Sequence, residues 1–218
     1  MMEKNKKLGL FYGVLGPFLW GTNGVVTQYL LKVVDINVNW LLSVRLLFAG
    51  TALILYVFLT DRKNLFRLLA NKQVYFQMII FIIFGDFLSQ YTYIIAIAKS
   101  NAALATILTS LNPVFVIIFY VFLQKRVPQR IDVISVFVAL LGTFLLVTHG
   151  SFNHLEISPA GLFWGLLAAA VYAFGTIYPI GLIGEYGPLP VTAISLFVSG
   201  IAFNFYRPFY RVANDVTK

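Results

Sequence analysis

The chain has no cysteine and only two histidines among its 218 residues. Disulfide frameworks and thiolate metal sites are thereby excluded, and redox chemistry has no side chain to run on. Charge is scarce as well, at 11% of residues, and polar segments long enough to solvate a globular surface are missing. What remains is 60% hydrophobic and 17% aromatic, more apolar surface than a soluble core of this size hides from water. Lipid is the solvent that such a composition demands.

Apolar runs of about 18 to 25 residues recur along the whole length, which is what a hydrocarbon slab ~30 Å thick requires of spanning helices. Their Leu, Ile, Val and Phe are continuous and not alternating, so a transmembrane barrel is disfavoured and the fold class is all-α. The pattern predicts seven spans, at Leu10 to Val33, Trp40 to Leu59, Tyr75 to Ala98, Ala102 to Leu123, Ile131 to Thr148, Pro159 to Ile183 and Val191 to Tyr206. The first is too long for the core of a cleavable signal peptide and is expected to remain in the mature chain. Between the second and third, Asp61 to Gln73 mixes Leu65, Phe66, Leu68 and Leu69 with four basic residues, as a short amphipathic surface helix would.

The net charge of +8 is distributed as a topology signal and not as one basic face, which argues against a nucleic-acid partner. Ten basic residues (Lys4, Lys6, Lys7, Arg62, Lys63, Arg67, Lys72, Lys125, Arg126 and Arg130) fall on one side of the membrane. Through the fifth helix the other side has only Lys32 and Lys99, so the N-terminus is expected in the cytoplasm. Seven spans would leave Arg207, Arg211 and Lys218 outside, against that rule.

Gly9-Leu10-Phe11-Tyr12-Gly13 opens the first helix, and Gly161-Leu162-Phe163-Trp164-Gly165 opens the sixth, 152 residues later. Five helices separate the two starts, so a second unit begins from the opposite side of the membrane, the sequence mark of an inverted-topology repeat. The domains are then 1–150, a complete five-helix unit, and 151–218, two helices of a second one. Three further helices are expected to complete the design, so the chain reads as a C-terminally truncated form of it. The same glycine pairs also suit close helix packing.

With these residues in view, the chain resembles the EamA-type transporters of the drug/metabolite transporter superfamily. The likeness is carried by Trp20-Gly21-Thr22-Asn23, Arg45-Leu46-Leu47-Phe48-Ala49-Gly50, Ala102-Ala103-Leu104-Ala105, Asn112-Pro113-Val114-Phe115 and Gly142. The resemblance implies ten helices in two inverted five-helix halves, and alternating-access movement of a small organic metabolite through a cavity between them. It implies no cofactor. The family's usual acidic residue after the fourth helix is replaced here by Leu123-Gln124-Lys125-Arg126.

Candidate substrate-binding residues are the polar and aromatic groups that converge at mid-membrane depth: Trp20, Thr22, Asn23, Asp86, Gln90, Tyr93, Asn112 and Tyr172, with Arg45 nearer the outer surface. A carboxylate near the bilayer centre costs about 2.5 to 3.5 kcal/mol on insertion scales, so Asp86 is expected either to handle substrate or protons, or to sit in a structural ion pair with Arg45 or Lys99. Gln90 and Tyr93 extend it into a polar stripe expected to face the bundle interior. Arg45 has two readings, an interface anchor that snorkels or a clamp for an anionic substrate group. Asn112 beside Pro113 either satisfies a freed carbonyl or lines the cavity. Under the 152-residue offset Tyr172 corresponds to Trp20, one aromatic from each unit. Pro17, Pro113 and Pro179 are expected to kink their helices.

An intramembrane enzyme would need a constellation such as HExxH or a serine with a basic partner, and the sequence contains none. His149, His154 and Glu156 read as a solvated loop and not as a zinc site. A four-helix multidrug exporter is disfavoured because the first helix lacks a central glutamate. The remaining alternative is a transport-inactive or auxiliary membrane protein.

Overall fold

The computed structural model describes residues 2–124, 129–148 and 158–206, with side chains over 9–122, 129–145 and 158–205. His149, His154, Glu156, Lys125, Arg126, Arg207, Arg211 and Lys218 lie outside the described residues. The fold is all-α, and the helices are long and apolar, as a polytopic membrane protein requires.

Helix α1 covers Met2–Lys32, and Pro17 sits inside it without interrupting it. Helix α2, Val38–Thr60, is capped by Asn37, whose side chain accepts from the Asn39 amide at 2.8 Å. Helix α3, Arg62–Ala70, is the expected amphipathic piece, with Leu65 and Leu68 buried and its charged face outward. After a 3₁₀ turn at Lys72–Val74 the third span is built from α4, Tyr75–Ile80, a π-helical stretch over Phe81–Phe87, and α5, Leu88–Lys99. Helices α6, Ala102–Thr109, and α7, Asn112–Gln124, form the fourth. Helix α8 is Arg130–Thr148, α9 is Pro159–Ile177, α10 is Ile180–Tyr186 and α11 is Pro188–Tyr206.

Two expected spans are therefore broken. The Ala102 to Leu123 run parts at Ser110 and Leu111, where Pro113 enters the first turn of α7. The Pro159 to Ile183 run ends at Ile177, because Pro179 supplies no amide donor and α10 starts afresh at Ile180. Gly187, at φ +84°, then closes α10 in a conformation that L side chains rarely adopt, and Pro188 opens α11. Among the described residues, five segments are long and apolar enough to cross a membrane: Val38–Thr60, Lys72–Lys99, Ala102–Phe122, Pro159–Ile177 and Pro188–Phe205. Helix α1 is not among them, since its glycines, Pro17, Thr22 and Asn23 dilute its hydropathy.

Helices α2 and α11 cross antiparallel: Ser43 faces Asn204, Leu46 faces Gly200 and Gly50 faces Phe197. A methyl group on Gly50 would lie 2.6 Å from the Phe197 Cα, and one on Gly200 2.9 Å from the Leu46 carbonyl carbon, so only glycine permits this approach. Ser43 Oγ donates to Asn204 Oδ1 at 2.8 Å and closes one end of the crossing. Similarly, the π-helical stretch meets α9 at Gly85 and Gly175. Two large buried clusters stand out among the described residues. One gathers Val57, Leu65, Leu68, Met78, Leu182 and Tyr186 around α3, and the other Leu42, Leu46, Tyr93, Ile94, Ile97 and Ala168 around α5. Outward faces carry exposed Phe11, Phe18, Phe48, Leu55, Phe76 and Phe137, the inverse of a soluble surface and suited to lipid.

Candidate functional site

An open cleft of about 740 Å³ lies between α1, the α6–α7 break and α9, lined by Gly16, Pro17, Trp20, Gly21, Thr106, Thr109, Ser110, Asn112, Pro113 and Tyr172. Its wall exists because the small residues of α1 keep that face shallow and because the break before Pro113 leaves Ser110 and Asn112 at a helix end. Trp20 is 41% exposed and stands between two tyrosines, its ring 5.8 Å from that of Tyr93 and 5.4 Å from that of Tyr172. Both contacts are tilted, the arrangement favoured by ring quadrupoles. Trp20 and Tyr172, which the 152-residue offset sets in correspondence, are in direct contact.

Behind Trp20, Tyr93 is fully buried. Thr106 has a single hydroxyl proton, which it donates to the Ala102 carbonyl at 2.7 Å, so in the 3.0 Å contact between the two hydroxyls Tyr93 is the donor. This bond ties the aromatic wall to α6. Gly24 makes room for it, since a methyl group there would sit 3.1 Å from the Tyr93 oxygen.

A polar cluster adjoins the tyrosines. Asp86 lies in the π-helical stretch, where the extra residue in the turn re-aims side chains relative to a regular helix. Its Oδ2 accepts from Ser195 Oγ on α11 at 2.8 Å, and Gln90 flanks the same carboxyl. Arg45, Asp86, Tyr93 and Tyr172 act on one another electrostatically. Arg45 Nη1 is buried and has no hydrogen-bond partner among the described residues. The guanidinium therefore points into the bundle and does not snorkel, and the acid is held by a serine and not by a hydrogen-bonded ion pair with Nη1. Gln90 Oε1 and Asn112 Oδ1 are also buried and unpartnered among the described residues, so Asn112 does not repair a freed backbone group through that oxygen.

The structure thus brings Trp20, Asn112 and Tyr172 to the cleft wall, and Arg45, Asp86, Gln90 and Tyr93 directly around its aromatic backing. Thr22 is not brought in: it is exposed and its hydroxyl returns to the Phe18 carbonyl at 2.9 Å. Asn23 is half-buried and does not line the cleft. Sequence reading missed Ser195, Thr106, Thr109 and Ser110. A serine in a span carries little hydropathy penalty, so only its register opposite Asp86 could have marked Ser195.

A second, strongly apolar pocket of about 390 Å³ lies between the third span and α11, lined by Ile82, Phe87, Tyr91 and Phe203 among others. None of the sequence candidates borders it.

Comparison with known proteins follows the same direction. An inner membrane transporter of Salmonella typhimurium, YicL, described as uncharacterized, is 36% identical over 202 residues, covering 93% of this chain and 66% of that protein's length. No solved structure gives a significant match. The family model of the EamA-like transporters matches residues 7–148, and with that match and the YicL identity the chain belongs to the EamA-like transporter family.

Proposed function

We propose that this chain carries the substrate cleft of a secondary transporter that moves a small organic metabolite across the cell's inner membrane by alternating access, with its N-terminus in the cytoplasm. In this reading residues 1–150 form the first five-helix unit, residues 151–218 begin the second, and the complete fold has ten helices in a 5+5 inverted repeat. The observation that carries it is Trp20 of the first unit lying against Tyr172 of the second, at the wall of a cleft open enough to admit a solute. The Asp86–Ser195 bond also joins the two units, and the antiparallel α2–α11 crossing is the geometry that inverted units produce. The ten-to-two basic bias supports the orientation. Alternating access needs two units that rock about such contacts.

Uptake into proteoliposomes tests this. A chain extended to the length of the YicL relative is expected to accumulate solute, and Trp20→Ala in it to raise the KM. If neither the chain nor its extended form moves any solute of a broad metabolite panel, the transporter reading is overturned. The second reading is a transport-inactive or auxiliary membrane protein. Solute movement by the extended form alone would assign that reading to this chain while leaving the cleft's role intact.

A further inference from the structure

The cleft's aromatic backing holds a cation that is short of a partner. Arg45 Nη1 is buried with no hydrogen-bond partner among the described residues. A guanidinium remains charged at every working pH and offers its donors as a planar fork suited to carboxylates and phosphates. Asp86 shares the field of Arg45, but a desolvated donor left without an acceptor is unfavourable, so Nη1 is the atom poised for an anionic oxygen. The neighbouring carboxyl does not fill that role through Nη1: Asp86 takes the Ser195 hydroxyl at 2.8 Å and is flanked by Gln90. Ser195 belongs to α11, so Asp86 is engaged by a helix other than the one that bears Arg45.

The acceptors point the same way. Asn112 Oδ1 lacks a partner and lines the cleft beside Trp20 and Tyr172. Gln90 Oε1 is likewise unpartnered, next to the acid. Arg45 is not among the residues that line the cleft; Tyr172, which lines it and lies within the field of Arg45, connects the two zones, so a head that reaches Nη1 has to pass Tyr172. A ligand matching these groups has an anionic head, an apolar or aromatic body, and an N–H on that body.

We propose that the cleft selects amphipathic organic anions, with the anionic head on Arg45, the body against Trp20 and Tyr172, and any N–H directed to Asn112 Oδ1. The assignment rests on the transporter reading above and deepens it. An aromatic cage alone would instead attract cations through its ring faces. Arg45 opposes that by charge, which makes the sign of the ligand the deciding measurement.

The protein's three tryptophans are Trp20, Trp40 and Trp164, so Trp40→Phe with Trp164→Phe leaves Trp20 as the sole indole reporter. Benzoate, benzamide and benzylammonium, which share one ring and differ in charge, are titrated against its emission in nanodiscs. Benzoate is expected to bind about 10-fold more tightly than benzamide, the scale of one charge-assisted pair, and benzylammonium most weakly. Arg45→Gln is expected to bring benzoate down to the level of benzamide, and Arg45→Lys to keep part of the preference. Thermal unfolding of each variant identifies misfolding, and Arg45→Lys then carries the comparison. Equal binding of benzoate and benzamide, or a preference for benzylammonium, overturns the anion assignment while leaving the cleft as a binding site. Failure of all three to alter Trp20 emission overturns the assignment and removes support from the cleft itself.

Discussion

Ser195 Oγ donates to Asp86 Oδ2 at 2.8 Å, and this one bond fastens α11 to the π-helical stretch of the third span. Ser195 is fully buried, so its replacement leaves a desolvated carboxyl oxygen without that donor. Ser195→Ala is expected to lower stability by about 1–3 kcal/mol, the range for an orphaned buried acceptor. Thermal unfolding in detergent measures it. In an Asp86→Asn background the same serine change is expected to cost less, because the charge that strengthened the bond is gone; additive losses in that cycle would show that the two groups do not act together.

The helix crossings make a second prediction, free of any assumption about transport. A methyl group on Gly175 would lie 2.6 Å from the Gly85 carbonyl oxygen, and one on Gly50 2.6 Å from the Phe197 Cα. Both obstacles are backbone and cannot rotate away. Gly175→Ala and Gly50→Ala are each expected to destabilise by about 1–3 kcal/mol through forced separation of the helices. Gly142→Ala meets nothing within 4 Å and is expected to be neutral or to gain up to about 1 kcal/mol from reduced backbone freedom in the unfolded chain. Unfolding midpoints that fall equally for all three would refute the packing account.

How far the sequence revealed this arrangement depends on the physical scale of each signal. Span-forming runs are long and uniform, so all-α class and most helix positions were legible from apolar length alone. The 152-residue offset set Trp20 and Tyr172 in correspondence, and the two rings are in contact. Breaks were harder. Pro17 leaves α1 continuous whereas Pro179 parts α9 from α10, and the difference lies in what packs around each proline, which a single sequence does not display. The π-helical stretch over Phe81–Phe87 was invisible because its residues are as apolar as those of a regular helix. Arg45 faces inward for the same reason: five residues from Trp40 either orientation was open, and only the bundle settles which way the stem runs.

Across the membrane surface, Arg67 is clamped onto α10. Its guanidinium lies 4.9 Å from the Tyr186 ring centroid and hydrogen-bonds the Glu185 carbonyl, while Asn71 Nδ2 donates to the Tyr186 hydroxyl at 2.8 Å. A cation at the C-terminal end of a helix also meets its macrodipole favourably. Helix α10 is only seven residues long, and these contacts add to the burial of Leu182 and Tyr186 in holding it. Arg67→Gln is expected to speed amide exchange over Ile180–Tyr186 by roughly 5- to 30-fold, equivalent to about 1–2 kcal/mol of local opening. Tyr186→Phe, which keeps the ring and loses one bond, is expected to have the smaller effect. Hydrogen exchange read by mass spectrometry decides, and unchanged exchange in Arg67→Gln would show that Pro179 and Gly187 hold α10 without the clamp.

Asp86 is the remaining test of mechanism. It is half-buried within a span, bonded across to α11 and electrostatically coupled to Arg45, so a change in its charge alters the balance felt by Tyr172 of the cleft. If it carries a proton during the cycle, Asp86→Asn fixes it in a neutral form, and uptake by the extended chain is expected to lose its dependence on an imposed pH gradient. The asparagine still accepts from Ser195, so the helix contact survives and folding is preserved to within the loss of the charge. Solute counterflow, which needs no net proton movement, is expected to persist in the variant at a rate within about 10-fold of the parent. Loss of both activities would make Asp86 a structural or substrate-holding group, and full retention of gradient-driven uptake would exclude it from coupling altogether.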